Sequence, residues 1–152
     1  MNIYGYQRPL GRIDDIPELR DAFIAVFDAK SKNETARFGL LYGRHILTVT
    51  GFEPRAEITK AFGAVQRWID GETNYHEART IDIYQYARTE TDPVKKAFYK
   101  TAAQIACIPH VKAHGLWAAD FGVTLINKMR PNDLGAARDE RETQIALFKG
   151  VM

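Results

Sequence analysis

The chain has 152 residues, 45% hydrophobic and 26% charged, with a formal net charge of +2. That length can bury a core without disulfides or metals, and the small charge excludes the broad field of a nucleic-acid or anionic-membrane binder. Cys107 is the single cysteine, so no internal disulfide forms, and no apolar run reaches the roughly 20 residues of a bilayer span.

No secretory apolar stretch opens the sequence, so a cytoplasmic protein without a membrane or nucleic-acid partner is expected. Strand signals are nearly absent. The 3.6-residue periodicity predicts an all-α chain: one domain over 1–152 of six or seven helices, bundle-like, with short antiparallel connections. Residues 1–13 read as an arm in which Tyr4 and Tyr6 dock against the same domain or a neighbouring subunit. A clasp between copies of the chain is therefore one candidate assembly.

A first helix starts at Pro17, with Asp14 or Asp15 as cap and Leu19, Phe23, Ile24 and Phe27 on its apolar face. Asn33 is the expected cap of a second helix with Glu34 in its first turn, central and buried, ending at Gly51. Glu53-Pro54 opens a third, with Ile58, Ala61, Phe62, Val65, Trp68 and Ile69 as its stripe and Gly71 as its end. Asn74 caps a fourth over YHEARTIDIYQYART, burying Ala78, Ile81, Ile83, Tyr84 and Ala87. Asp92-Pro93 restarts the pattern, which runs to Met129 with one interruption at Pro109. There a helix kinks, or one helix ends near Ile108 and the next begins at Pro109. Beyond Pro131, Asn132 or Asp133 caps a last helix, solvated except at Leu134, Ala137, Ile145 and Leu147.

The stretch from Gln104 to Phe121 holds the candidate chemistry. On a continuous helix of about 100° per residue, His110 and His114 share a face, with Trp117 and Phe121 further along it. This is the spacing with which two imidazoles hold one metal ion. However, Val111 stands where a zinc protease carries its glutamate, and only His76, Glu77 and Asp120 offer further ligands. No cofactor and no metal are expected, His110 and His114 being the sole metal candidates. They form, with Gln104 and Trp117, a candidate polar ligand site without assigned catalytic residues. His114 lies nearer the core edge and His110 further out.

Beside them Val111, Gly115, Ala118, Gly122, Leu125, Ile126 and Met129 make a stripe. Glycine within a helix costs roughly 1 kcal/mol relative to alanine. Two such costs point to close approach of another helix more than to a ligand groove. Cys107 has no activating base beyond His110 and reads as a small buried residue. The tyrosines Tyr75, Tyr84, Tyr86 and Tyr99 read as core rather than as a stacking platform. The mixed run Arg138 to Glu142 reads as a solvated helix face. Phosphate-loop, dinucleotide and nucleophile-elbow motifs are missing.

Two segments resemble a bacterial all-helical family of "putative immunity proteins" found with polymorphic toxins. Arg67-Trp68-Ile69-Asp70-Gly71-Glu72, followed by Glu77-Ala78-Arg79, is similar to the family's R-x-W-x-x-G-E…E-A-R junction. Gln104 to Phe121 resembles its A-H-V-x-x-H-A-x-G-A-A-x-Y-A helix. His110, Val111, His114, Ala118 and Ala119 match, and Phe121 replaces the tyrosine. Pro109 and Gly115 replace alanines, and Trp117 stands for a glycine. The likeness spans residues 34–147, with the first thirty residues as an extension. It implies an all-α protein that binds and neutralises a cognate toxin, and with no complete catalytic constellation in the sequence a non-enzymatic one is expected. From the residues alone, a small-molecule or metal-dependent helical enzyme using the His110/His114 face and a homo-oligomeric structural module stand as alternatives.

Overall fold

A computed structural model describes residues 5–6 and 12–152; Tyr4 and most of the arm lie outside them. The helices are α1 (Pro17–Ala29), α2 (Lys32–Thr50), α3 (Ala56–Ile69), α4 (His76–Arg79), α5 (Tyr84–Thr89), α6 (Pro93–Ala106), α7 (His114–Met129) and α8 (Leu134–Lys149). Six of them run 13 to 19 residues, and α4 and α5 have only 4 and 6. No strand occurs among the described residues, so the all-α expectation holds. None of these helices is long and apolar enough to cross a membrane.

Proline, glycine and short polar residues punctuate the chain as their chemistry requires. Pro17 and Pro93 occupy first turns, where a missing N–H costs nothing. Asp92 and Asp133 cap α6 and α8 by accepting from Val94 and Ala136. Gly71, at φ 77°, closes α3. Its N–H donates to the Trp68 carbonyl and that of Glu72 to Arg67, the paired bonds of a Schellman end.

Several expected boundaries move. Ser31, not Asn33, caps α2, in a reciprocal capping box with Glu34; Asn33 lies inside the helix and donates to the Ile69 carbonyl at 3.2 Å. Neither Asp14 nor Asp15 caps α1, whose N-cap Ile16 has no side-chain bond; Asp15 binds Arg141 of α8, whereas the Asp14 carboxylate pairs with Arg12 and its backbone exchanges hydrogen bonds with Asn127 of α7. The third helix starts at Ala56 rather than Pro54. The expected fourth helix splits into α4 and α5. Asp82 accepts the Gln85 N–H at 3.2 Å, and Thr80 bonds the Glu77 carbonyl at 3.1 Å. Such local bonds compete with the helical ladder in a stretch crowded by Thr80, Ile81 and Ile83. Its apolar positions still face inward, with Ala78, Ile83 and Ala87 buried.

Helices α6 and α7 pair most extensively. Pro93 and Lys96 at the start of α6 lie beside Lys128 at the end of α7, whereas Gln104 bonds His114 at the other end. The pair is thus an antiparallel hairpin. α2 packs against α3, α6, α7 and α8, and α7 is buried without interruption from Ala118 to Ile126. The aromatic centre joins α1, α2 and α8: Phe38 stacks on Phe148 at 4.4 Å, and Phe23 tilts against each at 5.5 Å.

The small-residue stripe is a packing seam. A methyl group on Gly115 would collide with Thr35, and one on Gly122 with the Tyr42 hydroxyl. Both partners lie on α2, so the glycines let α2 and α7 approach. Val111 is no part of the seam; it precedes α7 and is exposed.

Candidate functional site

The histidine stretch is not one helix. α6 ends at Ala106, α7 starts at His114 rather than Pro109, and residues 107–113 form successive turns. Pro109 donates no N–H and drives Ile108 away from helical backbone, and the Cys107 carbonyl accepts from both His110 and Val111. His110 and His114 therefore share no helical face, and the i, i+4 premise for a bound metal fails. Among the described residues no group of three or more His, Cys, Asp or Glu side chains is placed to hold a metal ion.

The folded chain nevertheless gathers these residues at one end of the α6–α7 hairpin. His114 is half-buried, and its Nδ1 lies 2.6 Å from Gln104 Oε1. Because an amide oxygen only accepts, Nδ1 carries the proton. Gln104 Nε2 in turn donates to the Tyr84 hydroxyl. Trp117 sets its ring edgewise to His114, centroids 4.9 Å apart. Burial, followed by the charges of His110 and Arg79, pushes the His114 pKa down to about 4, so the ring is neutral near pH 7. Cys107 is half-buried, and burial raises its thiol. It lacks the depressed pKa of a nucleophile.

Beside this polar string lies a more open group. The Tyr75 ring contacts His76 at 4.1 Å and His110 at 4.9 Å. Burial first, and then Arg79, His76 and Lys32, lowers the His110 pKa. Lys32 stands over the Trp68 ring at 5.4 Å. Arg67 bonds Glu77 across the α3–α4 junction and holds its carboxyl below the usual range. The two family-like segments thus converge: Ala78 and Ile108 share an apolar cluster against which Trp68 packs, and the charge of Arg79 acts on His110 and His114. The sequence model of the family described as Imm-5 like putative immunity protein matches residues 25–150. The chain belongs to that family. No curated protein and no solved structure matches it.

A second polar assembly escapes sequence reading. Asp120 is buried in α7 and accepts from Arg20 Nε at 3.0 Å, Arg20 Nη2 at 2.8 Å and Arg141 Nη2 at 2.7 Å. Arg141 also grips Asp15 at 3.0 and 2.7 Å, and donates to Gln144 at 3.0 Å. The two arginines and two aspartates balance in charge, as buried ions must. Burial pushes the Asp15 carboxyl up, but the hydrogen bond and charge of Arg141 outweigh it and hold the pKa low. Tyr6 closes the outer side, donating to Asp15 at 2.8 Å with its ring 4.3 Å from the Arg20 guanidinium. The described part of the arm thus docks on its own domain.

A neighbouring chain of bonds runs from Gln144 to the Tyr42 hydroxyl at 2.9 Å and on to Glu140 at 2.5 Å. Glu140 also meets His45 at 2.9 Å. Asp120, nominated above beside the histidines, belongs to this junction instead. The run from Arg138 to Glu142 is not a uniformly solvated face, because Glu140 and Arg141 are buried whereas Leu134 is exposed. One signal exposes the assembly: Arg20 falls in register with Ile16, Phe23 and Phe27, and Arg141 and Gln144 with Ala137 and Phe148. A polar residue on an apolar stripe needs a buried partner.

Proposed function

We propose that this family member is a non-enzymatic binding protein that neutralises a cognate toxin by direct contact, and that the face around Tyr75 makes that contact. The carrying observation is the convergence of both family-like segments on one surface of the right composition. Tyr75 and Trp68 are half-buried rings, with His76 against the first and Lys32 over the second, and His76, Arg79 and Lys32 are exposed. Aromatic and arginine side chains dominate the energetics of protein interfaces because they present large area with few rotatable bonds and a polar tip. The inner string of Tyr84, Gln104, His114 and Trp117 supports that face from beneath.

Co-expression with a toxin encoded beside its gene tests the reading. The pair is expected to co-purify. Tyr75→Ala combined with Arg79→Glu is expected to cost about 2 kcal/mol or more of binding, roughly thirtyfold in Kd, at unchanged melting temperature. Wild-type affinity in that double variant would move the contact elsewhere on the protein. Failure of the chain to capture any toxin encoded beside its gene would overturn the immunity reading.

A further inference from the structure

At the opposite end of the α6–α7 hairpin a groove of about 550 Å³ opens between the start of α6 and the end of α7. Lys96 and Lys100 from α6 and Lys128 from α7 converge on it, with Ala97 and Phe121 as apolar lining and Glu90 at its lip. Among the described residues none of these lysines takes part in an ion pair. Elsewhere on the surface some basic side chains are paired, Arg67 with Glu77, Arg88 with Asp82 and Arg130 with Asp133. Glu90 is engaged by its own loop, accepting the Asp92 N–H at 3.2 Å.

Lys96 and Lys100 are an i, i+4 pair of like charges, which destabilises a helix. Lys128 adds a third charge to the same space, and Lys100 leans over Phe121 at 5.9 Å. Burial, followed by the charges of Lys96 and Lys128, lowers the Lys100 pKa. Three lysines against one glutamate leave a lining of about two positive charges. A phosphate monoester carries up to two negative charges and three acceptor oxygens at neutral pH, one for each ammonium. A carboxylate supplies half that charge. The groove is also far larger than one phosphate and falls within the roughly 300–1,000 Å³ of small-molecule sites.

We propose that this groove binds a small phosphorylated organic molecule, its phosphate held by Lys96, Lys100 and Lys128 and its organic part lying along Ala97 and Phe121. Lysine suits this role as a mobile point charge that follows the phosphate. The site is independent of toxin binding and uses none of the residues around Tyr75.

Calorimetric titration of the full chain at physiological salt tests it, with adenosine 5′-monophosphate, glucose 6-phosphate, inorganic phosphate, adenosine and glucose as probes. At least one phosphorylated compound is expected to bind at a single site. Its affinity should be at least tenfold tighter than those of inorganic phosphate and of its unphosphorylated parent. Lys100→Gln is expected to weaken that binding at least tenfold. Lys128→Gln, at an exposed position where folding is not at stake, should do the same, and Lys95→Gln outside the groove should stay within twofold. Equal binding of inorganic phosphate would mean an adventitious ion only and overturn the organic ligand. Binding of a glutamate-rich peptide through Lys100, with both phosphorylated probes silent, would overturn the proposal in favour of an acidic protein surface. Silence of every probe at millimolar concentration would overturn it outright. The toxin takes no part, so any of these failures leaves the immunity reading standing.

Discussion

The buried junction around Asp120 and the open face around Tyr75 use the same alphabet of arginine, tyrosine, histidine and carboxylate, and use it for opposite ends. In the junction each charged group is enclosed and matched, and among the described residues no buried side-chain nitrogen or oxygen lacks a partner. On the face the rings are half-buried, Lys32 stands over the Trp68 ring, and Lys32 and Arg79 are exposed. Satisfied polar groups in low dielectric hold helices in one arrangement. Partly satisfied ones near the surface remain available to another molecule. The contrast therefore separates residues that make the fold from residues that can meet a partner.

The sharpest way to break this contrast is Arg141→Ala. It leaves Asp15 and Asp120 short of a cation, and the expected destabilisation is about 3–5 kcal/mol, measured by urea denaturation. A loss below 1 kcal/mol would mean that water readily replaces the guanidinium and that the junction is not closed. Next comes Gly122→Ala, where the added methyl meets the Tyr42 hydroxyl. An overpacking cost of about 1–3 kcal/mol is expected, and calorimetric melting reads it.

A smaller effect follows from His114. Its folded-state pKa of about 4 lies below the unfolded value of 6.5, so the unfolded chain binds the proton first. Stability is full above pH 6.5 and is lost as pH falls from there toward 4. The ring is partly solvated, which keeps the loss to about 1 kcal/mol. His114→Gln should flatten that segment of a stability–pH curve; an unchanged slope would assign it to another group. The smallest effect belongs to the face itself: Arg79→Ala should alter stability by less than about 0.5 kcal/mol, and a larger change would make the face part of the fold.

Local chemistry made most of the fold readable. Pro17, Gly51, Gly71, Asp92, Pro93 and Asp133 each act within a turn of themselves, so their effects do not depend on the rest of the chain. Misreadings arose where two local rules compete. Around Thr80–Ile83 an apolar helical period coexists with side chains that bond their own backbone. Around Pro109 the period continues across a residue that cannot carry it, so His110 was assigned a helical face it does not have. Gln104, His114 and Trp117 meet for a different reason from a shared helical face: His114 and Trp117 are three positions apart in α7, and Gln104 lies across a short hairpin. The Asp120 junction stayed hidden because Asp120 pairs with Arg20, 100 positions away, and with Arg141, 21 away, while Arg141 reaches Asp15, 126 away. Arg141 also looked, with its charged neighbours, like ordinary surface.

That junction straddles the edge of the family-matched stretch. Asp15 and Arg20 precede residue 25, whereas Asp120 and Arg141 follow it. The four side chains consequently tie the segment before residue 25 to the matched stretch. A relative lacking the leading segment would have one guanidinium and one carboxylate stripped of their outer partners, and would need other residues at those places or another cover for them. Exchanging the segment before residue 25 for one without Asp15 and Arg20 would leave half of that charge balance in place.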